Sequence, residues 1–164
     1  MKKFLVMAFA MMAMTAGAQK FAHFNSADVI PNMKEYTTAQ QELETMGKQY
    51  EQDLKLMQDE LQKKSDEYQK EQANLLENVR QRREQELQDL YQRLQQSYQD
   101  NQQALAKEQQ EKMNAITAKV LDAIKAVGQA GGYIYIMDTT GGIPYISTTL
   151  STDVTVDVKK KLGI

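Results

Sequence analysis

Between Pro31 and Gly128 the chain holds a single glycine, Gly47, and no proline. These two residues are the strongest helix breakers, so a stretch this long without them predicts helix over most of the chain. Apolar residues recur at Tyr36, Ala39, Leu43, Met46, Tyr50, Leu54, Met57 and Leu61, in steps of three and four that draw a heptad-like seam. A second seam runs through Leu87, Leu90, Leu94 and Tyr98, and later Met113, Ile116, Val120, Ile124 (or Ala123) and Val127. A lone rod over 36–127 would be about 140 Å long at ~1.5 Å per residue, with a narrow apolar stripe along it. Such a stripe needs a partner, and folding back supplies one from the same chain.

The rhythm falters between Tyr68 and Leu87, where Leu75, Leu76 and Val79 cluster ahead of Arg80, Arg82 and Arg83. Asn78 with Gln81 three residues on resembles a weak capping box for a restarted helix, which puts the reversal within 72–84. Each arm of this antiparallel helical hairpin would be ~60 Å long. An uninterrupted parallel coiled-coil dimer has the same period. Against it, Gln72, Arg83, Gln102 and Gln109 fall at or near seam positions and make the packing thin and partly polar. A hairpin so held is expected to be weakest at its tip.

The ends of the chain read differently. Met1-Lys2-Lys3 is basic, residues 4–16 are apolar and uncharged, and Ala16-Gly17-Ala18 fits the small-x-small cleavage rule. Residues 1–18 are therefore expected to be a signal peptide cleaved before Gln19, and the product to be exported. Its apolar run falls short of the ~20 residues that span a bilayer. With no cysteine there is no lipid-anchored thiol, no disulfide and no thiolate metal site. Loss of Lys2 and Lys3 leaves 18 basic against 22 acidic residues, so nucleic acid and anionic lipid exert no general pull.

Residues 20–25, KFAHFN, read as a short strand, followed up to Pro31 by a turn or short helical segment. Gly131-Gly132 ends the long helix. Beyond it, 133–137 and 143–147 flank a Gly-rich turn and read as a β-hairpin. Alternation puts Ile134 and Ile136 on one face and Tyr133, Tyr135 and Met137 on the other, so both faces are expected to meet something other than water. If the helices return the chain, strand 20–25 comes to lie beside 133–137 in a three-stranded sheet. In the last segment Thr155 reads as an N-cap, Val154 as a staple residue, Asp157 as a first-turn acid and Gly163 as the stop. The expected body, 19–35 with 128–164, is too small to be confidently stable alone. Association through Phe21, Phe24, Ile134, Ile136, Ile143 and Ile146 is the remedy the composition offers.

No catalytic constellation emerges, and neither cofactor nor metal is expected. The sole histidine, His23, lies inside the first strand, where a half-buried structural role is usual. Asp59-Glu60 and Asp66-Glu67 point apart on an exposed helix and read as solvated faces. Gly131-Gly132 and Gly141-Gly142 are turns, because no phosphate-loop spacing follows them. Leu56, Leu76, Tyr91 and Leu105 lie off the seam and read as adaptable contact residues. Arg80, Arg82 and Arg83 make a mostly solvated basic tip, within reach of a partner or a membrane surface.

FAHFNSADVI, followed after Pro31 by MKEYTTAQQEL, resembles the opening strand and first arm of the Skp/OmpH family of periplasmic chaperones. GGYIYIMDTTGGIPYIST and DVTVDVKKKLGI resemble its closing hairpin and terminal helix, and the Gln- and charge-rich arms match in pattern. The resemblance implies a mainly α fold with a small β body, assembled as a jellyfish-like homotrimer. It also implies that three helical-hairpin tentacles enclose unfolded outer-membrane proteins in a cavity, without ATP, during transit across the periplasm. The family's best-known members are basic, whereas 36–127 here carries 13 basic against 17 acidic residues. Only 63–83 leans basic, with Lys63, Lys64, Lys70, Arg80, Arg82 and Arg83 against Asp66, Glu67, Glu71 and Glu77. The alternative is a structural coiled-coil spacer or tether in the cell envelope.

Overall fold

The computed structural model describes residues 19–164; the expected signal peptide lies outside the described residues. The chain is mainly helical. It runs β1 (Lys20–Phe24), α1 (Ser26–Val29), a 3-10 turn at Ile30–Asn32, α2 (Lys34–Glu71), a second 3-10 turn at Gln72–Asn74 and α3 (Glu77–Gly131). There follow β2 (Tyr133–Asp138), a third 3-10 turn at Thr139–Gly141, β3 (Ser151–Asp153) and α4 (Thr155–Leu162). Two compact units result: Lys34–Ala115, and a body formed by the residues up to Met33 together with Ile116–Ile164. The body thus takes 116–127 from the segment that the sequence assigns to the arm. The reason is burial: Ile116, Val120 and Ala123 belong to the core.

In the helical unit the break between α2 and α3 falls at 72–76, within the interval where the seam falters. Asn78 does not cap the restarted helix. The helix has already begun at Glu77, whose carboxylate accepts a hydrogen bond from the Gln81 amide. Three pairs link the helices: Glu42 with Lys112, Lys64 with Glu86, and Tyr68 with Glu84. Partners on α3 fall in number as those on α2 rise. Ala39 and Leu90 are buried, while Tyr36, Leu43, Met46, Tyr50, Leu54, Leu61, Leu87 and Leu94 are half-buried, so the predicted seam is the inner stripe. Met57 and Tyr98 are seam residues that stay exposed.

The body is built on a three-stranded sheet of order β2-β1-β3, with both outer strands parallel to β1. Phe21 pairs with Tyr135 and Ser151, and His23 with Met137 and Asp153. Lys20–Phe24 and Tyr133–Asp138 are strands, each within one residue of the expected 20–25 and 133–137, but 143–147 is not. The third strand is Ser151–Asp153 instead. Gly142 turns the chain with φ +78°, and Pro144 has no N–H to give a ladder. The chain therefore crosses to the other edge of β1 rather than folding straight back. The core gathers Ala22, Phe24, Val29, Met33, Val154 and Val158 with Ile116, Val120 and Ala123 of α3. Burying each of the larger side chains contributes roughly 1.5–3 kcal/mol.

Two caps frame α4, and one differs from expectation. Thr155 is not the N-cap but the first helical residue, and it is buried. The Asp153 carboxylate supplies the cap, accepting the Thr155 N–H at 2.9 Å and its hydroxyl at 2.6 Å. That hydroxyl in turn accepts the Asn25 N–H at 3.1 Å, which ties α4 to the end of β1. At the other end Gly163 takes φ +78°, and the last two N–H groups return to the Lys160 and Lys159 carbonyls. α3 ends at Gly131, and Gly132 just beyond it takes φ +65°.

These caps make the body acid-sensitive. The Thr155 hydroxyl bond, aided by the Thr155 N–H and by His23, holds the Asp153 carboxyl below its usual value against a burial cost. For Asp138 burial is the largest influence and raises it, but hydrogen bonds from Ser26 and Thr140 together outweigh that and the net shift is downward. A carboxylate favoured by the folded state stabilises it above the unfolded value, ~3.9, and loses that contribution as pH falls toward the lowered one. The melting temperature should therefore be flat near neutrality and fall below about pH 4. Asp153→Ala should lose about 1 kcal/mol at pH 7 and show a weaker acid dependence in thermal melts. An unchanged acid limb in that variant would argue against the cap.

Candidate functional site

Two sets of apolar side chains stand in solvent. On the helices, Leu56 is 67% exposed and Leu76 73%, Tyr91 and Tyr98 are about half exposed, and Leu105 is half-buried between the helices. The exposed residues sit singly among charged and amide residues. Of the four positions that the sequence suggests for contacts, three face water and Leu105 faces a groove.

The expected basic tip is partly ion-paired, at Arg80 among its three arginines. Arg80 is paired with Glu77, and Lys64 with Glu86. The hydrogen bond from Lys64 is the main influence holding the Glu86 carboxyl below its usual range, with weaker help from Arg83 and Arg82. Glu84 accepts from Tyr68 and pushes that phenol up. Glu84 and Glu86 lie just past the basic stretch in sequence, and the fold brings them onto it. Over 63–86 the acidic and basic residues balance.

In the body, Phe24 is sealed inside the chain's own core rather than presented for association. Phe21 stacks on Tyr135 with ring centroids 4.9 Å apart. Ile136 is half-buried, its Cδ1 close to Gly128 of α3, whereas Ile134 is 57% exposed. Ile143 and Ile146 are half-buried in the irregular segment that follows β2. That segment closes over one face of the sheet and leaves a hollow of about 220 Å³, walled by Phe21, His23, Tyr135, Met137, Ile146 and Leu150. Tyr135, Met137, Tyr145 and Leu150 around it are all exposed, with Tyr145 at 80%. Sequence reasoning missed Tyr145 and Leu150, because exposure of an apolar residue beside a proline turn has no periodic signal.

His23 fills the half-buried strand position expected of it, its Nδ1 2.8 Å from the Ser151 hydroxyl across the sheet. Asp153, the cross-strand partner of His23, has its Oδ1 engaged by both the N–H and the hydroxyl of Thr155. Among the described residues no group of three His, Cys, Asp or Glu side chains could hold a metal ion, and no helix is long and apolar enough to cross a membrane.

The sequence model of the family described as outer membrane protein (OmpH-like) matches residues 20–162. The chain belongs to the OmpH-like family. Both the body and the helical unit of this OmpH-like chain lie within the match. The fold is similar to the crystal structure of a candidate outer membrane chaperone (OmpH-like) from Caulobacter crescentus CB15. The TM-score is 0.75 at 15% identity, over 88% of this chain and 83% of that one. No match is found among curated proteins.

Proposed function

We propose that this protein is an ATP-independent periplasmic holdase that binds unfolded outer-membrane proteins and prevents their aggregation. The observation that carries this reading is how the exposed apolar side chains are distributed. In the body Tyr135, Met137, Tyr145 and Leu150 crowd around one hollow, a patch that favours association with further copies of the chain. On the helices Leu56, Leu76, Tyr91 and Tyr98 are spread singly over a polar surface, which favours weak contacts of low sequence demand.

In this reading three bodies associate as a homotrimer and each chain contributes one antiparallel helical hairpin to a shared cavity. The falling order of the cross-helix pairs, 42 with 112, 64 with 86 and 68 with 84, supports the antiparallel arrangement. Binding acts by mass action, lowering the free concentration of the unfolded client. The test is light scattering of a urea-denatured β-barrel protein diluted into buffer with and without the full mature chain. Suppression at near-stoichiometric trimer is expected. Unchanged aggregation would leave the spacer reading in its place.

A further inference from the structure

The helices part where small and polar residues interrupt the seam. Gly47 offers no side chain, nothing lies within 4 Å of where its Cβ would be, and the polar Gln102 lines the same hollow. The result is a hollow of about 540 Å³ floored by Tyr50, Leu54, Tyr98 and Leu105. A second hollow of about 370 Å³ shares Leu54 and Tyr98 with it and reaches Leu94. Together they form one groove within the Lys34–Ala115 unit. From Leu94 to Leu105 the floor measures ~17 Å at ~1.5 Å per helical residue. That is the length of about five residues of extended chain at ~3.3 Å each.

The rim adds two kinds of selectivity. The side-chain amides of Gln58, Gln95, Gln99 and Asn101 make no hydrogen bond with the rest of the described chain. Each carries donors and an acceptor, so each can serve the backbone of an extended guest without reading its sequence. Among charged groups, Glu51 and Asp59 outnumber Lys55 on the rim, and the surrounding helices are acidic as a whole. A guest with Lys or Arg beside its apolar residues is attracted, and one with Asp or Glu is repelled.

We propose that this groove, between the two helices of a single chain, docks an extended peptide segment of alternating apolar or aromatic side chains flanked by a basic residue. The inference rests on the chaperone reading but concerns a surface within one chain, distinct from any cavity between chains. Apolar side chains spaced two apart on one face of the guest enter the floor, and the amides meet its backbone.

The probe is a nine-residue peptide alternating Phe or Tyr with Thr, with Arg at both ends, and a counterpart with Asp at both ends. Gly47→Leu fills the groove without displacing a neighbour and places a better helix former in α2, so folding is not weakened. Val156→Ala, on an exposed position of α4 outside the groove lining, is the control. The full mature chain and Val156→Ala should bind the Arg peptide alike. Gly47→Leu should bind it roughly tenfold more weakly, and the Asp peptide should bind wild type roughly tenfold more weakly. A benzoylphenylalanine placed at Gln102 should crosslink to the Arg peptide, and one at Val156 should not. Equal binding by Gly47→Leu, equal binding of the two peptides, no binding by wild type, or equal crosslinking from both positions would each overturn the groove. If wild type also fails to suppress aggregation of an unfolded barrel, the chaperone reading falls with it. Suppression retained alongside any of those results removes the groove alone.

Discussion

Phe24→Ala should lower the melting temperature of the body by ten degrees or more, while Phe21→Ala, three residues earlier on the same strand, should lower it far less. Phe24 lies on the central strand, 4% exposed, next to a core assembled from three distant parts of the chain. Removing a buried phenylalanine costs ~3–5 kcal/mol, and a small domain loses about 4–8 °C per kcal/mol. Phe21 is half-buried and keeps part of its contact with Tyr135 in solvent, so less is lost. Differential scanning calorimetry with sedimentation of both variants is the measurement. Equal shifts would mean that Phe21 is as deeply buried as Phe24, a burial that only association with further copies of the chain could add.

The second large effect concerns aggregation suppression. With an unfolded outer-membrane barrel as client, the full mature chain should protect, and both Ile136→Asp and the 36–127 fragment should protect poorly. Ile136 is half-buried beside Gly128, and a carboxylate there costs several kcal/mol of body stability unless it finds a partner. The fragment keeps every exposed apolar residue of the helices but lacks the body that would hold several copies together. Protection should persist at high salt, because a segment with 13 basic and 17 acidic residues has no attraction for acidic clients to be screened. Charge effects there reach only ~8 Å at physiological ionic strength. If the fragment protects as well as the whole chain, an enclosed cavity has no part in the mechanism and the helices act as sticky rods. If salt abolishes protection by the whole chain, charge attraction rather than apolar contact holds the client.

Helix and strand placement is a local property of this chain and could be read from it directly. The absence of proline and the single glycine before Gly128 define the helices, because breakers act on the residues around them. The step of three and four picks out Ala39, Leu90, Ile116 and Val120, all buried, because helical period alone decides which side chains share a face. Alternation with β-branched and aromatic residues marks β1 and β2 for the same reason.

Features that depend on partners far along the chain emerged only with the fold. Ser151–Asp153 is a strand although Ser-Thr-Asp has no apolar alternation, because it pairs with the open edge of β1 about 130 residues earlier. Asp153 rather than Thr155 caps α4, because the Thr155 hydroxyl is drawn to the Asn25 N–H at the end of β1. Across the turn Glu86 neutralises Lys64 and Glu84 accepts the Tyr68 hydroxyl, which no count of charges in a window ending at Arg83 anticipates. The groove beside Gly47 exists only where residues of both helices, among them Leu54 and Leu105, come to line it together. Helix period and strand alternation are carried by neighbours a few residues apart. Edge pairing, capping and charge balance are settled by which distant groups must satisfy their hydrogen bonds against one another once the core has closed.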